Sequence, residues 1–248
     1  WAQLQGQAPP AFLSTHPLTR NRIADARNRA ANLSKPSGPT PLGEGTFRRV
    51  RARLRVVTAD SPQDAYDHFM GKVKNHPENR SARYGLALAA RSTGRDGKAI
   101  RLLHQLIEQA PEEVAYRSTL AEVLVEAGKP RQAIEAIRTA LERRPDAPDL
   151  REKLGEAQLA AGDLKAARGT LLELTRDFPQ RASAHRALAK AYTRLDQPIR
   201  AHREEAEARR LLGQRAEALE QLQVAERLAR KQDSDQLSQI QARIKELQ

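Results

Sequence analysis

The chain has 248 residues, no cysteine, 30% charged residues, and 43 Lys and Arg against 31 Asp and Glu, a formal net charge of +12. The missing cysteines exclude disulfide frameworks, thiolate zinc sites and cysteine nucleophiles. No apolar run reaches the ~18–20 residues a membrane span needs, and 4% aromatic residues argue against base-stacking platforms and a β-rich core. A soluble, all-α protein is expected, and the charge first suggests nucleic acid, an anionic surface or acidic proteins as partners.

The chain opens on Trp1-Ala2-Gln3-Leu4, without an initiator Met or an intact signal-peptide pattern, so it reads as processed or as a piece of a longer protein. Ala8-Pro9-Pro10 and His16-Pro17 force an irregular loop. Ile23, Ala26, Ala30 and Leu33 then share a helical face behind Thr19, a candidate N-cap. One loop and one helix cannot bury a core, so residues 1–33 are expected to be the remnant of another domain. Residues 34–45 hold three Pro and three Gly in twelve positions, which makes them a linker. Next comes Arg48-Arg49-Val50-Arg51-Ala52-Arg53-Leu54-Arg55. On a helix, Phe47, Val50, Leu54 and Val57 form one apolar stripe with the arginines fanned around it. The run is expected to be the first helix of the array that follows, with an electrostatic partner as the other reading.

From there one period governs the chain. Pro77, Pro111, Pro145 and Pro179 recur every 34 residues. So do Ala65, Ala99, Ala133, Ala167 and Ala201; Gly94, Gly128 and Gly162; and Leu86, Leu120, Leu154 and Leu188. Four series with one step and fixed offsets predict a solenoid of helix pairs. In the unit beginning at Arg80, Leu86, Ala87 and Ala90 share the face of a first helix, which Gly94 ends. Ala99, Leu103 and Leu106 share the face of a second, which Pro111 stops. Units 80–113, 114–147 and 148–181 are clear, and 46–79 is a weaker one with Asp60 where the turn Gly is expected. After residue 196 the phase is expected to change, because Gln197-Pro198 interrupts the next second helix. Residues 182–196 and 198–212 read as one pair and 214–230 as a further helix. Leu237, Ile240, Ile244 and Leu247, behind the cap candidate Asp233, suit a C-terminal capping helix over 231–248.

This pattern resembles the tetratricopeptide repeat over residues 46–230, and implies an α-α superhelix whose first helices line a concave groove. The family's aromatic near the start of each unit is replaced by Arg83, Arg117, Arg151 and His185. The resemblance places Ser81, Tyr84, Leu88, Arg91 and Ser92 in the groove from the unit at 80. It adds Ala115, Ser118, Glu122, Val125 and Glu126 from the next unit, then Asp149, Glu152, Glu156 and Leu159. The unit at 182 supplies Ser183, Arg186, Lys190, Thr193 and Arg194. Such a groove runs from apolar through acidic to basic and would suit a peptide of complementary charge order; a merely solvated face is the alternative. The Lys/Asn set that grips a C-terminal carboxylate in chaperone-binding members is missing, with Tyr84 and Leu88 at two of its places.

No His-Glu-x-x-His pair, Gly-x-Ser-x-Gly or phosphate loop occurs, and His16, His68, His76, His104, His185 and His202 are not spaced as ligands on one helical turn. This chain is expected to catalyse nothing by itself and to hold no cofactor. Residues 9–33, with Phe12-Leu13-Ser14-Thr15-His16-Pro17-Leu18 and Arg22-Ile23-Ala24-Asp25-Ala26-Arg27, nevertheless resemble the end of the protease domain of BepA-like zinc metallopeptidases. Those are exported enzymes with a C-terminal tetratricopeptide array. The resemblance implies a periplasmic parent with its zinc upstream of Trp1, acting on outer-membrane proteins or their assembly machinery. It makes His16 a candidate regulatory ligand to that zinc, beside the plainer reading of a loop residue. The expected function is protein or peptide binding within such an enzyme. A stand-alone adaptor and a basic RNA-binding repeat are the alternatives. Nucleic acid is not the expected partner, because ten basic and three acidic residues lie in 1–60, leaving the array near balance.

Overall fold

The computed structural model describes residues 43–232 and 235–248. The expected helix over 19–33, the linker before residue 43, His16 and Asp233 lie outside them. By its contacts the chain separates into residues 1–47 and 48–248, and the array lies in the second unit. The described residues form helices and no strand: α1 (Glu44–Val57), α2 (Pro62–Asn75), α3 (Arg80–Ser92), α4 (Asp96–Gln109), α5 (Val114–Glu126) and α6 (Pro130–Arg143) come first. They are followed by α7 (Pro148–Ala161), α8 (Leu164–Asp177), α9 (Ala182–Arg194), α10 (Pro198–Leu211), α11 (Arg215–Lys231) and α12 (Leu237–Leu247).

First helices begin at Arg80, Val114, Pro148 and Ala182, and second helices at Pro62, Asp96, Pro130, Leu164 and Pro198. Both series step by the 34 residues read from the sequence. Pro198 therefore does not break a helix, contrary to expectation. It occupies the first turn of α10, where a missing N–H leaves no bond unmade. The turn before it is in phase too: Asp196 takes φ 56° where Gly94, Gly128 and Gly162 take 70°, 72° and 85°. Aspartate tolerates the left-handed region better than most residues. After each such residue the next N–H bonds back five positions (Arg95 to Ala90, Lys129 to Leu124, Asp163 to Gln158, Gln197 to Tyr192), closing the first helix in a Schellman pattern. The periodic prolines explain themselves equally. Pro77, Pro111, Pro145 and Pro179 each sit second in a four-residue turn closed by the bond from Asn79 to His76, Glu113 to Ala110, Ala147 to Arg144, or Arg181 to Phe178. Fixed φ favours that place.

Consecutive helices pack from α2 through α12, and the first helices α3, α5, α7 and α9 also pack side by side, forming one wall. Ala87, Ala99, Ala133 and Ala167 are fully buried, which allows close approach of the helices in each pair. Gly155 is tighter still, since a Cβ there would lie 2.5 Å from Leu171 Cγ. Leu171 is fully buried, so its side chain cannot move aside without disturbing the packing around it. Gly155→Ala is expected to cost about 1–2 kcal/mol through overpacking, read as a shift in urea midpoint. A Gly169→Ala control, with nothing within 4 Å, should be neutral or better.

The basic residues standing where the family has an aromatic are tethers. Arg83 donates to Gln109 at 2.5 Å, and Arg151 to Asp177 at 2.6 Å, each joining the first helix to the end of the second. Arg117 donates to the Pro111 carbonyl, and His185 bonds the equivalent Pro179 carbonyl at 3.1 Å. At the far end Ile240 is buried with Ile199, Leu222 and Ala225, and Leu237, Ile244 and Leu247 pack on the same cluster. Arg243 of α12 reaches Glu207 of α10 at 2.8 Å.

At the near end, α1 departs from expectation. It stands outside the succession of packed helix pairs among the described residues, so α2 meets α3 without a first helix of its own. The stripe of Phe47, Val50, Leu54 and Val57 is exposed, at 60%, 51%, 57% and 74%. The covered residues are Arg49, Ala52, Val56 and Ala59, a different face at helical spacing.

Candidate peptide groove

The wall made by α3, α5, α7 and α9 brings the predicted groove charges together, but in closed pairs. Arg91 of α3 grips Glu126 of α5 through Nε and Nη2 at 2.6 and 2.5 Å, and Glu122 through Nη1 at 2.5 Å. Glu122 also meets Lys153 of α7 at 3.0 Å, and Lys153 meets Glu156 at 2.7 Å. Farther along, Arg181, in the turn before α9, bonds Glu152 through Nε at 2.5 Å and Asp149 through Nη2. Ser183 adds a 2.9 Å bond to Glu152. Burial works against ionising Glu122, yet Lys153 and Arg91 more than offset it and hold its carboxyl below the usual range. Burial likewise works against the Lys153 ammonium, and Glu156 with Glu122 reverses that and raises it. The stretch expected to be acidic is therefore a ladder of alternating signs.

Lys153 and Arg181, absent from the sequence-derived set, supply the alternation. The sequence did carry a signal for the first. Arg91, Glu122 and Lys153 are successive steps of 31 residues, one of the two offsets, 31 and 35, at which side chains on neighbouring first helices meet here. Among the basic residues, Arg186 and Lys190 are exposed. Arg194 is exposed as well and donates to the Leu159 carbonyl at the end of α7, a placement the helix dipole favours. Tyr84 and Leu88 are 3% and 5% exposed, inside the main core cluster. The Tyr84 hydroxyl bonds Thr119 Oγ1 at 3.0 Å and its ring lies 5.4 Å from Tyr116. No ligand reaches either side chain in this arrangement. A cavity of about 340 Å³ opens above the ladder, lined by Arg91, Glu122, Glu126, Lys153, Glu156 and, from α1, Arg53.

Alternating charges held along a wall of packed helices are a surface that can orient a polypeptide of complementary charge order. Among the described residues no three of His, Asp or Glu converge as metal ligands. No helix there is long and apolar enough to cross a membrane.

Stacked helix pairs of one length and period define an α-α superhelical repeat protein. The family model for the tetratricopeptide repeat matches residues 63–114 and 118–182, so tetratricopeptide repeats fill that stretch and the array as a whole is a tetratricopeptide-like solenoid. A thermophilic tetratricopeptide protein of Thermus thermophilus superposes with a TM-score of 0.58 at 20% identity, over 71% of this chain and 98% of its own. A tetratricopeptide protein of Parabacteroides merdae does so with 0.53 at 13% identity, over 92% and 90%. In sequence, the chain is similar to beta-barrel assembly-enhancing proteases. It is 34% identical to that of Escherichia coli K12 over 110 residues, 44% of this chain and 22% of the relative. For that of Yersinia pestis the figures are 33% over 110 residues, 43% and 22%. The match thus spans about a fifth of the relatives' length.

Proposed function

We propose that the array is the protein-binding module of an exported zinc metallopeptidase that acts in the assembly or quality control of outer-membrane β-barrel proteins. It recruits substrate or docks the enzyme on an envelope complex. The concave ladder of alternating charges carries the reading for binding, and the similarity to beta-barrel assembly-enhancing proteases supports the parent enzyme and its periplasmic setting. The residues described do not fit a zinc site, so the metal and any approach of His16 to it belong to the proposed parent. If the gene encodes no His-Glu-x-x-His helix ahead of Trp1, the parent is not such an enzyme and the chain is a stand-alone adaptor.

The groove itself is tested by charge reversal where the wall tolerates it. Sequence alone suggests Glu122→Lys with Glu152→Lys. The structure redirects this, because the Glu152 side chain is only 8% exposed and holds Arg181. Glu126 and Glu156 are 50% and 39% exposed. Glu126→Lys with Glu156→Lys is expected to weaken capture of an unfolded β-barrel polypeptide about 5- to 10-fold, chiefly through association rate and at low salt. Thermal stability should stay nearly constant. Unchanged capture would leave the ladder a solvated surface.

A further inference from the structure

We propose that α1 is a tethered ligand of the groove, and that the partner the groove accepts in trans is an arginine-rich helical segment that displaces α1. The proposal deepens the reading of the concave wall as a peptide site and rests on it. Three observations carry it. First, an ordinary member of a helical array buries its apolar stripe, whereas α1 turns Val50, Leu54 and Val57 to solvent and covers Arg49, Ala52 and Val56, with Ala59 of the following turn half-buried behind them. Ala52 is 5% exposed, and Val56 and Ala59 join the cluster that holds Tyr84, Leu88 and Tyr116. Two of those residues stand at positions the resemblance assigns to ligand contact. Second, Arg49 bridges Glu113 at 2.6 Å and sits 5.9 Å above the Tyr116 ring, so a guanidinium is recognised by a carboxylate and an aromatic face together. Burial raises the Tyr116 pKa, and Arg49 lowers it in part.

Third, the cavity above the ladder has three carboxylates, Glu122, Glu126 and Glu156, against Arg91 and Lys153 on the wall. Arg53 of α1 supplies the third cation. Withdrawing α1 leaves an unmatched carboxylate in the cavity and another at Glu113. An incoming segment that restores the arrangement needs two arginines one helical turn apart, with a small residue between them for close approach. α1 is joined to α2 by residues 58–61 alone. Tethering of this kind sets an effective concentration on the order of mM, so a ligand in trans meets a competitor and binds only when it outmatches α1.

The full chain is tested with a synthetic peptide of residues 44–60, dye-labelled, against the wild type and Arg49→Glu with Arg53→Glu. The variant is expected to bind the peptide about 10- to 100-fold more tightly than the wild type, because the competing helix is weakened. Ala52→Leu, which crowds the covered face without changing charge, is expected to shift binding the same way. Hydrogen exchange at α1 amides should be slow in the wild type and fast in both variants, and fast in the wild type saturated with peptide. Equal affinity for wild type and variants, or unprotected α1 amides in the wild type, overturns the tethered ligand. If Glu126→Lys with Glu156→Lys still weakens that equal binding, the groove reading survives. Failure of the peptide to bind any of the proteins overturns the arginine-rich partner, and the capture experiment decides the groove separately.

Discussion

Glu152→Lys is expected to destabilise the middle of the array by about 3–5 kcal/mol, the range for breaking a buried ion pair and leaving its partner uncompensated. Glu152 is 6% exposed. Its carboxylate accepts from Arg181 Nε and from Ser183 Oγ, which fixes the turn between α8 and α9 against α7. A lysine there brings a second cation to a guanidinium that keeps only Asp149, whose side chain is 60% exposed. Glu156→Lys, four residues on and 39% exposed, removes a pair with Lys153 at the surface and should cost no more than about 1 kcal/mol. Urea unfolding followed by circular dichroism compares the two. Amide exchange locates the loss, because a repeat array opens unit by unit, and protection should fall first in α7 to α9. Equal midpoints for the two variants would mean that Arg181 finds water or Asp149 as readily as Glu152.

The different fates of these two glutamates show what the sequence could and could not convey. Periodicity fixes which residues share a face and where chains turn. The step of 34, the glycine turns and the Leu and Ala core positions are therefore legible without coordinates. Pro198 reads as a breaker when proline is weighed locally, yet the same step places it at the start of α10 beside Pro62 and Pro130. The groove residues come from the family one unit at a time. That transfer says which way a side chain points but not what stands across from it, so it omits Lys153 and Arg181 and makes the middle of the wall look acidic. With α1 the limit is sharper. The spacing of Phe47, Val50, Leu54 and Val57 shows an amphipathic helix, yet amphipathicity does not name the face that meets the protein. Here Arg49, Ala52 and Val56 meet it, and nothing in a period of 3.6 distinguishes the two outcomes.

The stability of the C-terminal repeats is expected to decline as pH rises above about 6.5, and His185→Phe should abolish that dependence. His185 is 8% exposed. Its Nδ1 lies 2.7 Å from Glu204 Oε2 and its Nε2 3.1 Å from the Pro179 carbonyl. A carboxylate and a carbonyl only accept, so the arrangement favours the ring with both nitrogens protonated and donating. Burial opposes that charge, but the hydrogen bond and charge of Glu204 prevail, with help from the Pro179 carbonyl and Glu207, and the pKa is raised above 6.5. The unfolded chain gives up this proton near its ordinary value while the folded chain still holds it. The contribution is thus whole below about pH 6.5 and is lost as pH climbs through the folded value. At pH 6, His185→Phe should be less stable by about 2–3 kcal/mol, the lower end for a broken buried pair because the Glu204 side chain is 24% exposed. Phenylalanine restores the aromatic that the family prefers at this place, so added apolar burial works against that loss. Denaturation at pH 6 and pH 8.5 separates the effects: the difference between wild type and variant should shrink at the higher pH. A difference that stays constant would show that His185 is held as a neutral ring and that packing alone sets its worth.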